Sequence, residues 1–546
     1  MLSTFHGLEA AKRGMMTQQA ALYVTGHNVA NANTPGYTRQ RVNFVTTEPF
    51  PAPGLNRPQI PGQMGTGVKA GSIERVREYF LDIQYRGENN KLGYWEARAD
   101  AIAKMEDIMN EPSDNGLAKT MDQFWQALQD LSVNPENEGA RSVVRQRGLA
   151  VVETFHYLSN SLSQIQTDIG TQIGVTVTQI NSLAKQISEL NKQIASIEPN
   201  GYLPNDLYDE RDRLIDELSK LINVQVEKHP TGGNAPATAE GTYDIYFLNG
   251  NEKVYLVQGG DFHSLYFPSD QSDPNSPNSG QDVDGDGINE MPPVAGVKEL
   301  KVDDNTSISF DQVTFPMGKL RGLIEAYGYV NGQDSNGQPI VTGIYPDMLN
   351  NLDKLAYTFG KLFNAVHEKG YGLNGETGVS FFDGLGQEAK GAAKTIRLSA
   401  DIDDLANIAA STEEGKPGNG NNAINLANVG SMLLSADTVS LIGTTNTIQI
   451  STLNLPLTSG TIQTNYQGWI GKLGVDGQQA NRMKNNSDVL RQSVEERRQS
   501  VSSVSLDEEM MNMIKFQHAY NAAARQITVV DEMLDKIING MGIVGR

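Results

Sequence analysis

The sequence predicts an α+β multidomain chain in which long-helix bundle or coiled-coil domains, built from both chain ends, enclose inserted β-rich domains. Three observations carry this reading. Apolar residues recur at steps of three and four from Phe155 to Ile197, a stretch far longer than an ordinary globular helix. From Val224, runs such as TYDIYFLNG and KVYLVQGG alternate with Gly, Asn, Asp and Pro, the pattern of short strands and turns. Helical periodicity returns at both termini, where the apolar stripe is thin. The resulting division takes residues 1–38 with 508–546 as a terminal helical segment, and 39–223 with 336–372 and 461–507 as a discontinuous long-helix bundle. Residues 224–335 are expected to form a β-rich domain, and 373–460 a second β-rich region.

The first helix carries Phe5, Leu8, Ala11, Met15, Gln18 and Leu22 on one face. Ala and Gln stand where a self-sufficient core would place Leu or Ile, so this helix needs partners. A dense turn signal follows, through Asn31, Asn33, Thr34, Pro35, Gly36 and Tyr37. Pro35 drives Thr34 into an extended conformation, and Gly36 supplies the positive φ of a type II turn. Val42 and Phe44 alternate with polar neighbours and predict a short strand, after which EPFPAPGLNRPQIPGQMGTG reads as an irregular loop.

Helical periodicity resumes near Arg75, with breaks near Glu111-Pro112 and Asn134-Pro135. The long stripe predicts a helix over about 137–197, roughly 90 Å long at 1.5 Å per residue, with one departure from strict spacing near Ile173. Glu198-Pro199-Asn200-Gly201 stops it, and Leu207, Leu214, Leu218 and Leu221 predict a second helix folding back on the first. Leu349, Leu352, Leu355, Phe359, Leu362 and Val366 mark a further helix. The last helical stretch is predicted from Ile462 almost to the end. Its stripe runs through Leu506, Met510, Met513, Gln517, Tyr520, Ala524 and Ile527, then slips by one step to Val530, Leu534 and Ile537. Two such thin stripes bury too little apolar surface to offset an ordering entropy of roughly 1–2 kcal/mol per residue. Residues 1–38 and 508–546 are therefore expected to be largely disordered in the monomer and to fold together when neighbouring subunits complete the core.

Composition excludes several classes of function. Lys and Arg total 44 against 65 Asp and Glu, a net charge of -21, so neither nucleic acid nor anionic membrane is an expected partner. The absence of cysteine excludes disulfides and thiolate metal sites. The N-terminus lacks the basic segment and apolar core of a cleavable signal peptide, and no apolar run is long enough to span a bilayer. Catalytic motifs fail on inspection. HEKGY at 367–371 has Tyr371 where a zincin needs its second His, and YQGWIGKL has Tyr466 and Leu473 where a phosphate loop needs Gly and Ser or Thr. With no nucleophile-and-base constellation, no enzymatic site and no required cofactor are expected. One motif stands: DVDGDGINE places Asp282, Asp284 and Asp286 at alternate positions, with the Ile288 carbonyl and Glu290 following, a loop able to wrap a structural Ca²⁺. Pro293 occupies the place of an EF-hand's bidentate Glu, so the competing reading is an acidic solvated loop.

The chain ends carry a family resemblance. MLSTFHGLEAAKRGMMTQQAALYVTGHNVANANTPGYTRQR resembles the N-terminus of the bacterial flagellar axial proteins, and Thr-Arg-Gln after Tyr37 is most similar to the hook-associated protein 1 family. NDLYDERDRLIDELS resembles that family's Leu-x-Asp-x-Arg-Asp segment, and SVSLDEEMMNMIKFQHAYNAAARQITVVDEMLDKIIN its C-terminal helix. The resemblance implies a structural adaptor at the junction of flagellar hook and filament, exported through the flagellar type III channel and located outside the cell. Its implied partners are the hook protein, the second junction protein, further copies of itself, and an export chaperone at the C-terminal helix. The rival readings are another flagellar axial protein, or a secreted coiled-coil adhesin with a calcium-stiffened β region.

Overall fold

The computed structural model describes residues 4–51, 54, 62–269, 279–282, 288–303, 306–334 and 337–540. The chain opens with α1 (Thr4–Ala30) and turns into an antiparallel ribbon of β1 (Gln40–Thr46) and β2 (Val68–Arg75). It enters the bundle through α2 (Tyr79–Met109), α3 (Leu117–Val133), α4 (Glu138–Ile197) and α5 (Asn205–Leu221). The long helix α4 starts where the Asn137 side chain accepts a hydrogen bond from the Ala140 amide at 3.0 Å, satisfying one of the free amides of the first turn. It stops at Pro199, and Gly201 reverses the chain at φ +86°. The apolar stripe of α4, including Phe155, Leu162, Ile173, Ile180 and Ile194, is buried. α3 and α5 cover it together with elements further along the same chain, so the rod's apolar face is satisfied within one molecule.

β3 (Gln225–His229), β4 (Thr242–Asn249), β5 (Glu252–Gln258) and β6 (Asp261–Phe262) make a four-stranded antiparallel sheet in chain order. β7 (Leu265–Tyr266), β8 (Glu299–Val302) and β9 (Thr306–Ser309) make a three-stranded one. The region expected to be uniformly β-rich also holds α6 (Lys319–Tyr327), which the sequence reading missed. Gly318 at φ +138° and Gly328 at φ +126° bracket this short helix and read as turn punctuation in sequence. In the structure they let Leu320, Leu323 and Ile324 bury against the bundle. β10 (Tyr329–Gln333) then pairs with β11 (Pro339–Thr342), which occupies the start of the stretch assigned to the helical bundle, and α7 (Ile344–His367) follows.

Residues 373–460 differ from the expected β-rich region. They contain β12 (Phe382–Asp383), α8 (Ala392–Thr395), β13 (Arg397–Leu398), α9 (Asn421–Ala427), β14 (Thr438–Ser440) and β15 (Thr447–Gln449). The strands form two small ribbons, and 3₁₀ turns and loops fill the rest. The physical reason is that the branched residues act singly. Ile396, Ile402, Ile408 and Val429 each bury in the bundle core, while Ser399 and Asp404 cap turns between them. The final stretch is α10 (Ile462–Ser502) and α11 (Leu506–Gly540), two helices where one was expected. Ser503 is extended, and Ser505 starts α11 ahead of Asp507, Glu508 and Glu509 in its first turn.

Two buried side chains, the Arg141 guanidinium and the neutral His367 imidazole, tie residues 379–409 to the helices. Arg141, at 1% exposure, donates to the carbonyls of Pro135, Leu405 and Ile408 at 2.6–2.9 Å. His367 lies beside Phe363 and Phe381; its Nδ1 is 2.7 Å from the Val379 carbonyl, and its Nε2 accepts the Ala409 amide at 2.9 Å. Burial lowers its pKa from 6.5 to about 4, because a charged ring there would lose its hydration, and the nearby Arg141 charge adds to the effect. His367 thus supports the fold fully above the pKa of 6.5 that it takes when unfolded, and that support is lost as pH falls from there toward 4. Between pH 7 and pH 5 the wild type is expected to lose about 2 kcal/mol more stability than His367→Gln, measured by denaturant titration at both pH values.

Candidate functional site: the terminal helix pair and its joint

α1 and α11 run antiparallel, as the pairing of Gly7 with Val530, Gly14 with Ala523 and Asn28 with Glu509 shows. A Cβ built on Gly7 would stand 4.0 Å from Val530 Cγ2, and one on Gly14 the same distance from Ala523 Cβ. Small residues thus let the helices approach closely. The buried face of α1 consists of Ala11, Thr17, Ala21, Val24, Thr25 and Asn28, supported on the ribbon side by the Thr17 hydroxyl bonding the Val68 carbonyl at 3.1 Å. Of the predicted stripe Ala11 lies on this face, while Leu8, Met15 and Leu22 are half-buried and Phe5 is exposed. On α11, Tyr520, Ala524, Ile527 and Leu534 are half-buried, while Leu506, Met510, Met513 and Ile537 are exposed. Among the described residues of α11, Glu509 alone is buried. Tyr23 at 77% and Ile538 at 70% exposure complete an apolar surface that one helix pair cannot cover.

The turn after α1 is built as its residues require. Gly36 adopts φ +81°, the Tyr37 amide bonds the Thr34 carbonyl at 3.2 Å, and the Thr34 hydroxyl donates to Asn31 Oδ1 at 3.1 Å. Asn33, Pro35 and Gly36 are exposed. The residue that organises this region is Asn28, which the sequence reading passed over. Its Oδ1 accepts from Tyr37 Oη at 2.8 Å and from the Gln40 amide at 3.0 Å. Its Nδ2 donates to the Gln40 carbonyl at 2.9 Å and to Glu509 Oε2 at 3.2 Å. Arg39 completes the arrangement by donating to Glu509 Oε1 at 2.8 Å and Glu508 Oε2 at 2.6 Å. One buried amide therefore joins α1, the turn, the ribbon and α11.

Below the turn, α5 presents Asp206, Asp209, Asp212 and Asp216 at steps of three and four, on one face. Asp209 accepts the Thr38 amide at 2.9 Å and Arg75 at 2.7 Å. Asp212 is reached by Arg75 at 3.0 Å, Arg77 at 3.3 Å and Arg86 at 3.2 Å. Asp216 receives Arg86 at 2.7 Å and Arg498 of α10. Burial by itself would raise the Asp212 pKa, yet Arg77, Arg75 and Arg86 hold it well below the usual carboxylate range. The pattern was visible in sequence as acids recurring in NDLYDERDRLIDELS; their cationic partners, remote in sequence, were not.

Comparison with known proteins places this architecture. Residues 102–382 match the family described as flagellar hook-associated protein FlgK helical domain. Flagellar hook-associated protein 1 of Bacillus subtilis (strain 168) is 44% identical over 553 residues, covering 100% of both chains. The chain belongs to the flagellar hook-associated protein 1 family. It is a structural component of the bacterial flagellum. The family's protein from Salmonella typhimurium is 26% identical over 73% of this chain and 64% of its own length. A solved structure described as the flagellar hook junction protein FlgK from Burkholderia pseudomallei shares the fold, with TM-score 0.55 and 15% identity over 78% of this chain and 100% of that one. Residues 8–38 match a family described as flagella basal body rod protein, and 497–540 one described as flagellar basal body rod FlgEFG protein C-terminal. The terminal pair is thus similar to segments of the rod proteins, whereas α5 falls within the hook-associated helical-domain match.

The proposed calcium loop falls partly outside the described residues, which exclude Asp284 and Asp286. Asp282 is exposed, Ile288 half-buried and Glu290 buried at 2% exposure. Among the described residues no group of three or more His, Asp or Glu could hold a metal ion, and no helix is long and apolar enough to cross a membrane.

Replacing Asn28 with Ala strips partners from Glu509, Tyr37 and Gln40 together, a loss of about 2–3 kcal/mol for hydrogen bonds that include a charged acceptor. Flagella purified from cells carrying Asn28→Ala should release this protein at a lower temperature than wild-type flagella, measured by sedimentation after heating. Equal release temperatures would remove Asn28 from the organising role.

Proposed function

We propose that this protein is the adaptor between flagellar hook and filament, seated on the hook protein below, contacting copies of itself around the axis and receiving the second junction protein above. The observation that carries it is the terminal pair, whose two helices leave Phe5, Tyr23, Met510 and Ile538 exposed. Apolar surface of this kind on both helices is completed by repeated heterologous contact with identical neighbours, the arrangement that generates a helical tube. Within the terminal segments, residues 4–30 and 508–540 are unfolded in the exported monomer and acquire the helical form of α1 and α11 on incorporation, because ordering them costs about 1–2 kcal/mol per residue before neighbours supply the missing core. In that state the apolar residues Met510, Met513, Tyr520 and Ile527 are uncovered and form the grip for an export chaperone of the flagellar type III channel. The adhesin alternative needs an intermolecular coil through the rod, and the stripe of α4 is already covered by its own chain.

Cells lacking this protein should build hooks yet shed unpolymerised flagellin into the medium, scored by electron microscopy and by assay of the culture supernatant. Attached filaments of normal length in such cells would end the junction reading. The Asp282–Glu290 loop is proposed to bind Ca²⁺ weakly as a structural ion. Calorimetry should show heat at millimolar Ca²⁺ that disappears in Asp284→Ala, and no heat in the wild type reduces the motif to an acidic loop.

A further inference from the structure

The joint between the terminal module and the bundle is crossed covalently at Arg75–Glu78 and at Ser502–Ser505. Hydrogen bonds and ion pairs cross it as well. The base of the ribbon is the register pair Gln40 and Arg75, and both residues are held by α5. Gln40 Nε2 donates to Asp206 Oδ1 at 3.1 Å, and Asn205 Nδ2 donates to Gln40 Oε1 at 3.2 Å and to the Ile73 carbonyl at 3.1 Å. Arg75 Nη1 donates to Asp209 and Asp212, and its Nη2 to Glu240 just ahead of β4. The Arg75, Asp209 and Asp212 side chains are each 7% exposed or less. Beside them a cleft of about 880 Å³, lined by Asn33, Pro35, Tyr85, Lys220, Arg491 and Gln499 among others, separates the turn from α2, α5 and α10.

We propose that the carboxylate stripe of α5 is a preformed latch that holds the β1–β2 ribbon on the bundle without help from α1 or α11. Every carboxylate of the latch stands on a helix whose opposite face, through Leu214, Ile215 and Leu218, is buried in the bundle core, so the latch exists before the termini fold. A two-stranded ribbon is marginal in water by itself, and its order therefore reports whatever grips it. Ion pairs suit a joint beside an open cleft. Their attraction falls off slowly with distance, so small rotations of the module leave the latch closed, where apolar packing would lose contact at once. The consequence is a fixed platform: Gln40 and Arg75 at the ribbon base are held by α5, and Arg39 is presented where the arriving Glu508 and Glu509 of α11 will bind. This goes beyond the folding of the termini on assembly and does not depend on it.

Amide exchange by mass spectrometry on the full-length monomer tests it. Residues 40–46 and 68–77 should exchange at least about a hundredfold more slowly than unstructured chain. Asp209→Asn should speed exchange there by about tenfold or more, the loss of hydrogen bonds to a charged acceptor, while peptides of α4 stay unchanged. If that variant also loosens α4, Gln40→Ala decides, because the side-chain bonds it removes are those to Asn205 and Asp206 and it strips no charge from the buried ion pairs. A ribbon that exchanges like unfolded chain in the wild type overturns the latch, and so does ribbon protection that neither variant alters. Protection across 4–30 and 506–540 in the same monomer would instead overturn assembly-coupled folding and leave the latch standing.

Discussion

The carboxylates on one face of α5 are the constraint on which the rest of the joint depends. Four acids on one helix face repel one another and favour coil or protonation unless cations reach them. The cations come from places far apart in the chain: Arg75 and Arg77 beside the ribbon, Arg86 on α2, and Arg498 on α10. Removing one partner from such a buried set typically costs about 3–5 kcal/mol, because the charge left behind has neither water nor a counterion. The network therefore specifies one arrangement of ribbon, α2, α5 and α10, and disfavours alternatives in which any of the four is absent.

Above and below this level the protein is held together by different forces. In the bundle, Phe124, Phe155, Phe359, Phe363, Phe381 and Phe382 pack with ring centroids 4.9 to 6.2 Å apart among neighbouring pairs, and the core is apolar and dense. In the terminal module the buried positions are Ala, Thr, Val, Asn and Glu509, and the large apolar side chains are half-buried or exposed. Such a chain is stable in its middle and incomplete at its ends. That gradient is what a subunit of a polymer requires, since surface that is to be covered by neighbours must be left uncovered in each copy.

Periodicity disclosed the elements that rest on many repeated residues. The stripe from Phe155 to Ile197 is α4, and Leu214, Leu218 and Leu221 return α5 along it. Short elements escaped because their signals are few and resemble loop punctuation. α6 lies between two glycines, and the break at Ser503–Ser505 was hidden by helical pattern on both sides, although Ser505 followed by Glu508 is a helix-start signature. Over 373–460 the strands are four and short for a related reason: isolated Ile and Val are equally suited to a strand and to a single plug in a core, and the choice is made by what lies opposite. In the terminal site the turn was readable through Pro35 and Gly36, whereas Asn28 sat among other Asn residues with nothing local to single it out.

The sequence by itself determined the long helix, the thin terminal stripes, the turn at Pro35-Gly36 and the absence of thiol chemistry, because each follows from spacing or composition within a few dozen residues. Its resemblance to flagellar axial proteins also pointed to the family that the comparisons show. Only the tertiary structure decided that Asn28 meets Glu509, that Arg75 and Arg498 serve the same acidic helix, and that the bulky residues of the terminal stripes stay half-buried or exposed in the helix pair. The reason is separation along the chain. A side chain's partner is set by where the fold brings distant segments, and hydrogen bonds and ion pairs between residues hundreds of positions apart leave no periodic trace in either segment.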